Sequence, residues 1–189
     1  ASKLRVYAVT KDPKAAEAAR KLAQKLDLYG TRVTVHLRDP ADTRYPDMFA
    51  NLVVSNRSIT EGANAVPVRE MRRMQRPYGG VTLIGKPGAM VKNVRGPLPG
   101  AGTWTHQYCD PANTNCSPDE LVRGPLGVRW FSDWNFQVPN RHGRGPAPLF
   151  LDGRLYMEGV NGLVCADAYN GREIWRYNLP NILKYYDQE

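Results

Sequence analysis

Two dipeptides, Asp152-Gly153 and Asn170-Gly171, constrain this chain more tightly than any other feature of its 189 residues. Each interrupts an alternating run: PLFL before and RLYMEG after the first, LVCADAY before and REIWRY after the second. A two-residue hairpin turn needs positive φ at both central positions, which Asn or Asp followed by Gly supplies at little steric cost. The segment from Ala147 onward is therefore predicted to be a series of antiparallel strands. So few strands leave unpaired edges and a half-exposed apolar face, and the segment is expected to be completed by something else.

The N-terminal half is written with a different period. LRVYAV, residues 4–9, alternates as a strand does, and KDPKAAEAARKLAQKLDLYG follows it. There Asp12 suits an N-cap, Pro13 suits the first helical position, and Ala16, Ala19, Leu22, Ala23 and Leu26 recur at helical spacing until Gly30. TRVTVHL then alternates Val33, Val35 and Leu37 as a second strand. MFANLVVSN is a continuous apolar run, as expected of a strand covered on both faces. A second helix is predicted from about Ala65 to Gln75, and VTLIG, residues 81–85, as another buried strand. Helices alternating with buried strands place residues 1–86 in the α/β class, as a mostly parallel sheet.

Between these parts the chain is rich in Gly, Pro, Asn and Asp without lasting periodicity. Residues 87–146 are therefore expected to be an irregular connector, anchored by aromatic residues such as Trp104, Trp130 and Trp134. Charge divides the chain as well. Residues 1–100 carry 18 Lys and Arg against 8 Asp and Glu, whereas residues 101–189 carry 8 against 10. The basic half admits an acidic protein partner, an acidic surface or a solvated exterior. No aromatic stacking platform or nucleic-acid motif accompanies the charges, which counts against nucleic acid. No apolar run approaches the roughly 18 residues of a membrane span, and ASKLRVYAV does not read as a signal peptide, so a soluble chain is expected. The absence of an initiator Met fits a processed protein or a piece of a longer one.

Two families are resembled. The stretch Ala166 to Trp175, with Asp167, Asn170 (often Thr in the family), Gly171 and Trp175, resembles a repeat of the pyrroloquinoline-quinone (PQQ)-like β-propellers. The resemblance implies that residues 147–189 form one propeller blade, in which Asp167 and Gly171 shape a turn, Trp175 packs between blades, and none is a cofactor ligand. GTWTHQYCDPANTNCSPDELVRGPLGVRWF and NRHGRGPAPLFLDGRLYMEG are similar to the lead-in of large bacterial PQQ-like proteins, some with a methyltransferase-like domain upstream. In keeping with that, VYAVTKDPKAAEAAR, FANLVVS and EMRRMQRPYGGVTLIG resemble the middle of a class I S-adenosylmethionine (SAM)-dependent methyltransferase, a Rossmann-like fold. The chain departs from that family where the cofactor would bind. It contains no GxGxG, it has Thr10 where an acidic residue is expected, with Asp12 two places late, and it has Asn51 where the fourth strand usually opens with Asp. Each polar ligand group left unmet costs about 1–3 kcal/mol, so this half is read as degenerate.

The candidate sites each carry a plain alternative. His106, Cys109 and Cys116 form H-x2-C-x6-C, which could supply three zinc ligands. The same cysteines could form a Cys109–Cys116 disulfide, whose short loop closes easily and would favour an extracytoplasmic compartment, or stay free thiols in a cytoplasmic one. Cys165, in an alternating strand, reads as a small buried hydrophobe. Arg141, His142 and Arg144 read as a rim loop, or as an anion site or a general base with helpers, with no nucleophile or carboxylate placed near them by sequence. Arg69, Arg72, Arg73 and Arg76 form a basic edge on the second predicted helix, able to meet an acidic partner or simply to be solvated. Together these features predict a non-catalytic scaffold or interaction component, part of a larger propeller protein or assembly. The rival is a quinoprotein or a methyltransferase completed by further sequence, and PQQ or SAM is expected only in that case.

Overall fold

The first forty residues fold much as their pattern dictates. In the computed structural model, which describes residues 4–132, 138 and 145–181, β1 (Val6–Thr10) leads into α1 (Pro13–Lys25). The Asp12 carboxylate accepts from the Lys14 amide at 2.8 Å, satisfying one orphan donor of the first turn. β2 (Val33–Leu37) runs parallel to β1 in the register Val6↔Val33 to Thr10↔Leu37. The helix face is narrower than its apolar stripe. Ala16 and Ala23 are buried, but Leu22 and Leu26 stay more than half exposed, because a two-stranded sheet is too small to cover them. Arg20 ties α1 to β2 by donating from Nε and Nη2 to the Val35 carbonyl at 3.1 and 2.9 Å.

The next stretch departs from expectation. MFANLVVSN yields only a three-residue strand, β3 (Leu52–Val54), in which Val53 is buried while Leu52 and Val54 are half exposed. The strand is cut short by a helix start that the apolar run conceals. The Ser55 hydroxyl accepts from the Ser58 amide at 3.4 Å and caps α2 (Asn56–Glu61). A single 3-10 turn, Ala63–Ala65, follows, and then α3 (Val68–Met74). Its start is later than predicted because Pro67 forces Val66 into extended backbone, φ −119° and ψ 150°. β4 (Val81–Ile84) is where VTLIG predicts it, and β5 (Val91–Val94) adds a strand inside the expected connector. The strands of the first half form two separate sheets, β1-β2 and β3-β4-β5, in place of one.

From Leu149 onward the predicted antiparallel strands are present. β6 (Leu149–Leu151), β7 (Arg154–Gly159), β8 (Gly162–Asp167) and β9 (Glu173–Asn178) form a four-stranded antiparallel sheet in chain order. Asp152 and Gly153 take φ of 50° and 73°, the pair of positive values that the tight turn requires. Of the two predicted turns only Asp152-Gly153 is a two-residue one: β8 and β9 are joined across residues 168–171, and of Asn170-Gly171 only Gly171 takes a positive φ, 70°. β8 is the core strand: Val164, Cys165, Ala166 and Asp167 are all fully buried. Trp104 exchanges both backbone hydrogen bonds with Phe150, at 2.9 and 2.7 Å, and so covers part of the β6 edge. Among the described residues β9 has no neighbour beyond β8.

The chain is thus a mixed α/β protein with three sheets and short helices among its described residues. It divides into two compact units, each discontinuous. One comprises Ala1–Asp47, Val53–Met74 and Thr82–Lys92, and the other Met48–Leu52, Gln75–Val81 and Asn93–Glu189. No described helix is long and apolar enough to cross a membrane.

Candidate functional site

The most heavily bonded point of the second unit is the turn that closes β8 onto β9. Asp167 ends β8 with no solvent exposure. Its Oδ1 accepts from the Tyr169 amide at 3.0 Å, and its main chain closes the turn through Asp167 N to Arg172 O (2.8 Å) and Gly171 N to Asp167 O (2.9 Å). Its Oδ2 faces outward from the turn, where Arg76 Nε pairs with it at 3.1 Å and Asn51 Nδ2 donates to it at 3.4 Å. Asn170 extends the same link. Its Nδ2 donates to Phe49 O (2.8 Å) and Asn51 Oδ1 (3.0 Å), while its Oδ1 accepts from the Arg172 amide (3.1 Å). The side-chain amides are required here, because each must donate and accept at once. At position 51 an Asp would set a second carboxylate against Asp167 and could not donate to it.

Gly171 and its surroundings complete the hub. At φ +70° it occupies the left-handed region, and the Trp130 ring fills the space that a Cβ would need. Trp130 Nε1 donates to Ala168 O at 2.8 Å, and Arg129 Nε donates to Tyr169 O at 3.2 Å with its guanidinium 5.3 Å from the Tyr169 ring centre. Tyr78 stacks on the other ring contact of Tyr169, 6.3 Å between centroids. Burial pushes the Tyr169 hydroxyl above its ordinary pKa, Tyr78 adds to the rise, and Arg129 and Arg95 oppose it. Tyr78 also covers the first hairpin turn: a Cβ on Gly153 would lie 2.7 Å from its Cδ2.

An open cleft of about 310 Å³ lies beside this hub, lined by Arg76, Tyr78, Asp152, Arg154, Arg172 and Ile174. Arg154 is held above its ordinary pKa, chiefly by a hydrogen bond with the Tyr156 side chain and by that group's charge. Arg76 is fixed by Asp167 and by Nη1 donation to Pro77 O at 3.2 Å. These side chains offer cationic recognition of an anion.

The other predicted sites are placed as follows. Asp167 and Gly171 lie in the turn between β8 and β9, whereas Trp175, on β9, is 42% exposed and only tilts against Tyr156 at 6.2 Å. Cys109 and Cys116 are free thiols. Cys109 is buried with Sγ 3.1 Å from the Cys116 carbonyl oxygen, while Cys116 is exposed, so it is the backbone of one and not its sulfur that meets the other thiol. His106 Nδ1 lies 2.9 Å from Thr105 Oγ1, and among the described residues no three His, Cys, Asp or Glu side chains could hold a metal ion. Arg141, His142, Arg144 and Trp134 lie outside the described residues. Cys165 is buried, and its thiol is pushed up by desolvation.

The four-arginine edge is not one face. Arg69 and Arg72 are exposed on α3, but Arg73 binds Glu70 through Nε (2.8 Å) and Nη2 (2.6 Å), as well as Asp47 and the Tyr45 carbonyl. Arg76 lies past the end of the helix and is committed to Asp167. The helical period would align these residues only if α3 ran on past Met74. Sequence reasoning also misses Glu70 and Thr43, and reads Asn51 only as the place of a lost carboxylate, not as a donor to Asp167. Polar residues without a motif give no signal until the chain brings their partners to them. The chain matches no protein-family model and no curated protein.

Proposed function

We propose that this chain is a non-catalytic interaction component whose four-stranded meander serves as a propeller-like blade, completed by strand pairing at β9. The observation that carries the reading is the β9 edge, which among the described residues has no neighbour beyond β8. It presents Ile174, Trp175 and Tyr177 at 37%, 42% and 59% exposure, beside a β8 that is buried from Val164 to Asp167. An exposed edge with large apolar side chains is a template for another strand. The buried hub supports the same reading, since Asp167, Asn170 and Gly171 are all spent on holding chain segments together. The completing strand comes from further sequence of a longer polypeptide or from another molecule, and the resemblance to PQQ-like repeats supplies the pattern of successive blades.

Sedimentation of the isolated chain tests the proposal. Self-association through β9, abolished by Trp175→Lys and Tyr177→Lys with the circular dichroism unchanged, is the expected result. A soluble 21.2 kDa monomer whose β9 amides are as protected from exchange as those of β8 would overturn it. Calorimetric titration with SAM tests the rival reading of the N-terminal half. Saturable binding there would make that half more than a scaffold.

A further inference from the structure

We propose that the cleft lined by Arg76, Tyr78, Asp152, Arg154, Arg172 and Ile174 is an oxyanion-binding site that takes a carboxylate or phosphate group. Three guanidiniums, those of Arg76, Arg154 and Arg172, share the cleft with the single carboxylate of Asp152; adding Asp167, which pairs with Arg76, still leaves three positive groups against two negative. Among the described residues neither Arg154 nor Arg172 makes an ion pair. Guanidinium forks match the two oxygens of a carboxylate or phosphate, and each such hydrogen bond is charge-assisted.

The site is held in place before a ligand arrives. Arg76 is 16% exposed at its side chain and is pinned by the fully buried Asp167. Arg172 has its backbone fixed on both sides, its amide donating to Asn170 Oδ1 at 3.1 Å and its carbonyl accepting from Asp167 N at 2.8 Å. Tyr78 is wedged against Gly153 and Tyr169, which makes it a rigid wall, and Ile174 adds an apolar one. Preorganised cations cost less ordering on binding than free side chains do. The cleft volume of about 310 Å³ suits a small group, not an extended polymer.

Calorimetric titration of the full chain at low ionic strength, with inorganic phosphate, with succinate and with a short Glu-rich peptide as three separate probes, tests the site. Saturable binding is expected, weakened roughly tenfold to a hundredfold in Arg172→Gln and in Arg154→Gln, as the loss of a charge-assisted hydrogen bond implies. Asp152→Asn is expected to tighten it. Arg69→Gln removes an exposed arginine of α3 and should leave binding unchanged. Binding of phosphate or succinate identifies a free small anion, and preference for the peptide, lost in the same variants, identifies a carboxylate carried by a protein. No saturable binding of any probe overturns the proposal, as does an Arg69→Gln effect equal to that of Arg172→Gln, which would mean unspecific charge attraction. Circular dichroism of each variant separates lost binding from lost fold, and Arg172, whose side chain supports no internal bond among the described residues, is the variant that keeps the fold.

Discussion

Glu70 and Asp167 are buried carboxylates in different units, and their partners differ in kind. Glu70 receives a two-pronged guanidinium from Arg73, three residues along the same helix, together with the Thr43 amide at 3.0 Å and hydroxyl at 2.6 Å. Its charge is matched locally by short bonds. Asp167 is more deeply buried, and its outward oxygen rests on longer contacts, 3.1 Å to Arg76 and 3.4 Å to Asn51, the latter 116 residues away in sequence. The first carboxylate secures one loop to one helix. The second gathers three separated stretches of chain, so its loss propagates further.

That contrast is broken most directly at Asp167. Asp167→Ala leaves the mostly buried Arg76 without its counter-charge and frees Asn51 and the Tyr169 amide. Removing one partner of a buried ion pair costs about 3–5 kcal/mol. Denaturant unfolding followed by tryptophan fluorescence, which reports Trp130 beside the hub, should show a loss of that size; a loss under about 1 kcal/mol, typical of an exposed ion pair, would mean that the hub does not depend on its carboxylate. Gly171→Ala comes next. It combines a strained positive-φ backbone with a Cβ driven into Trp130, and the expected cost is about 2–4 kcal/mol with a red shift of Trp130 emission. A blue or unshifted emission would show that the ring does not rest on Gly171.

The hub and the Glu70 network differ in how much of each is legible in the sequence. Asp152-Gly153 and Asn170-Gly171 announce themselves because a turn that requires positive φ restricts residue choice locally, and so does Asp12-Pro13 at the start of α1. The identity of the third strand of the first half is hidden for the opposite reason. In MFANLVVSN an apolar run masks a serine cap, and the period of a run does not report which of its residues will be covered. Partners at long separation are invisible altogether. Nothing in NLVV says that Asn51 will donate to Asp167, and nothing in EMRRMQR separates Arg73, bound to its own helix, from Arg76, bound to a distant strand. The cleft is hidden for the same reason, since Arg76 reaches Arg154 and Arg172 only through the folded chain.

Acid tests the Glu70 network directly. The hydrogen bonds from Arg73, with those from Thr43, hold the Glu70 carboxyl down from its ordinary 4.5 to about 2 against the opposing effect of burial. A folded value below the unfolded one contributes stability that is fully present above about pH 4.5 and is lost as the pH falls toward 2. Glu70→Gln is expected to cost about 1–3 kcal/mol at neutral pH and to flatten the stability profile across that window. If Glu70→Gln keeps the wild-type slope, another group carries the acid dependence and the local matching of Glu70 is not its source.

The smallest effect is expected where the two cysteines of the 109–116 loop differ. Cys109 is 2% exposed and Cys165 fully buried, with the Cys165 thiol raised further by desolvation, whereas Cys116 is exposed. Thiolate reactivity follows access and ionisation. Titration of the native protein with a chromogenic disulfide should therefore show one fast thiol and two slow ones, becoming three equivalent thiols on unfolding. Cys116→Ser should delete the fast phase alone and change stability by no more than about 0.5 kcal/mol, as a surface substitution does. A purified chain that yields a single thiol even when unfolded, mapped by alkylation to Cys165, would instead show Cys109 and Cys116 joined. The Cys109 sulfur would then have turned from the Cys116 carbonyl to its sulfur, and the loop would be covalently closed where the free-thiol structure holds it by a hydrogen bond.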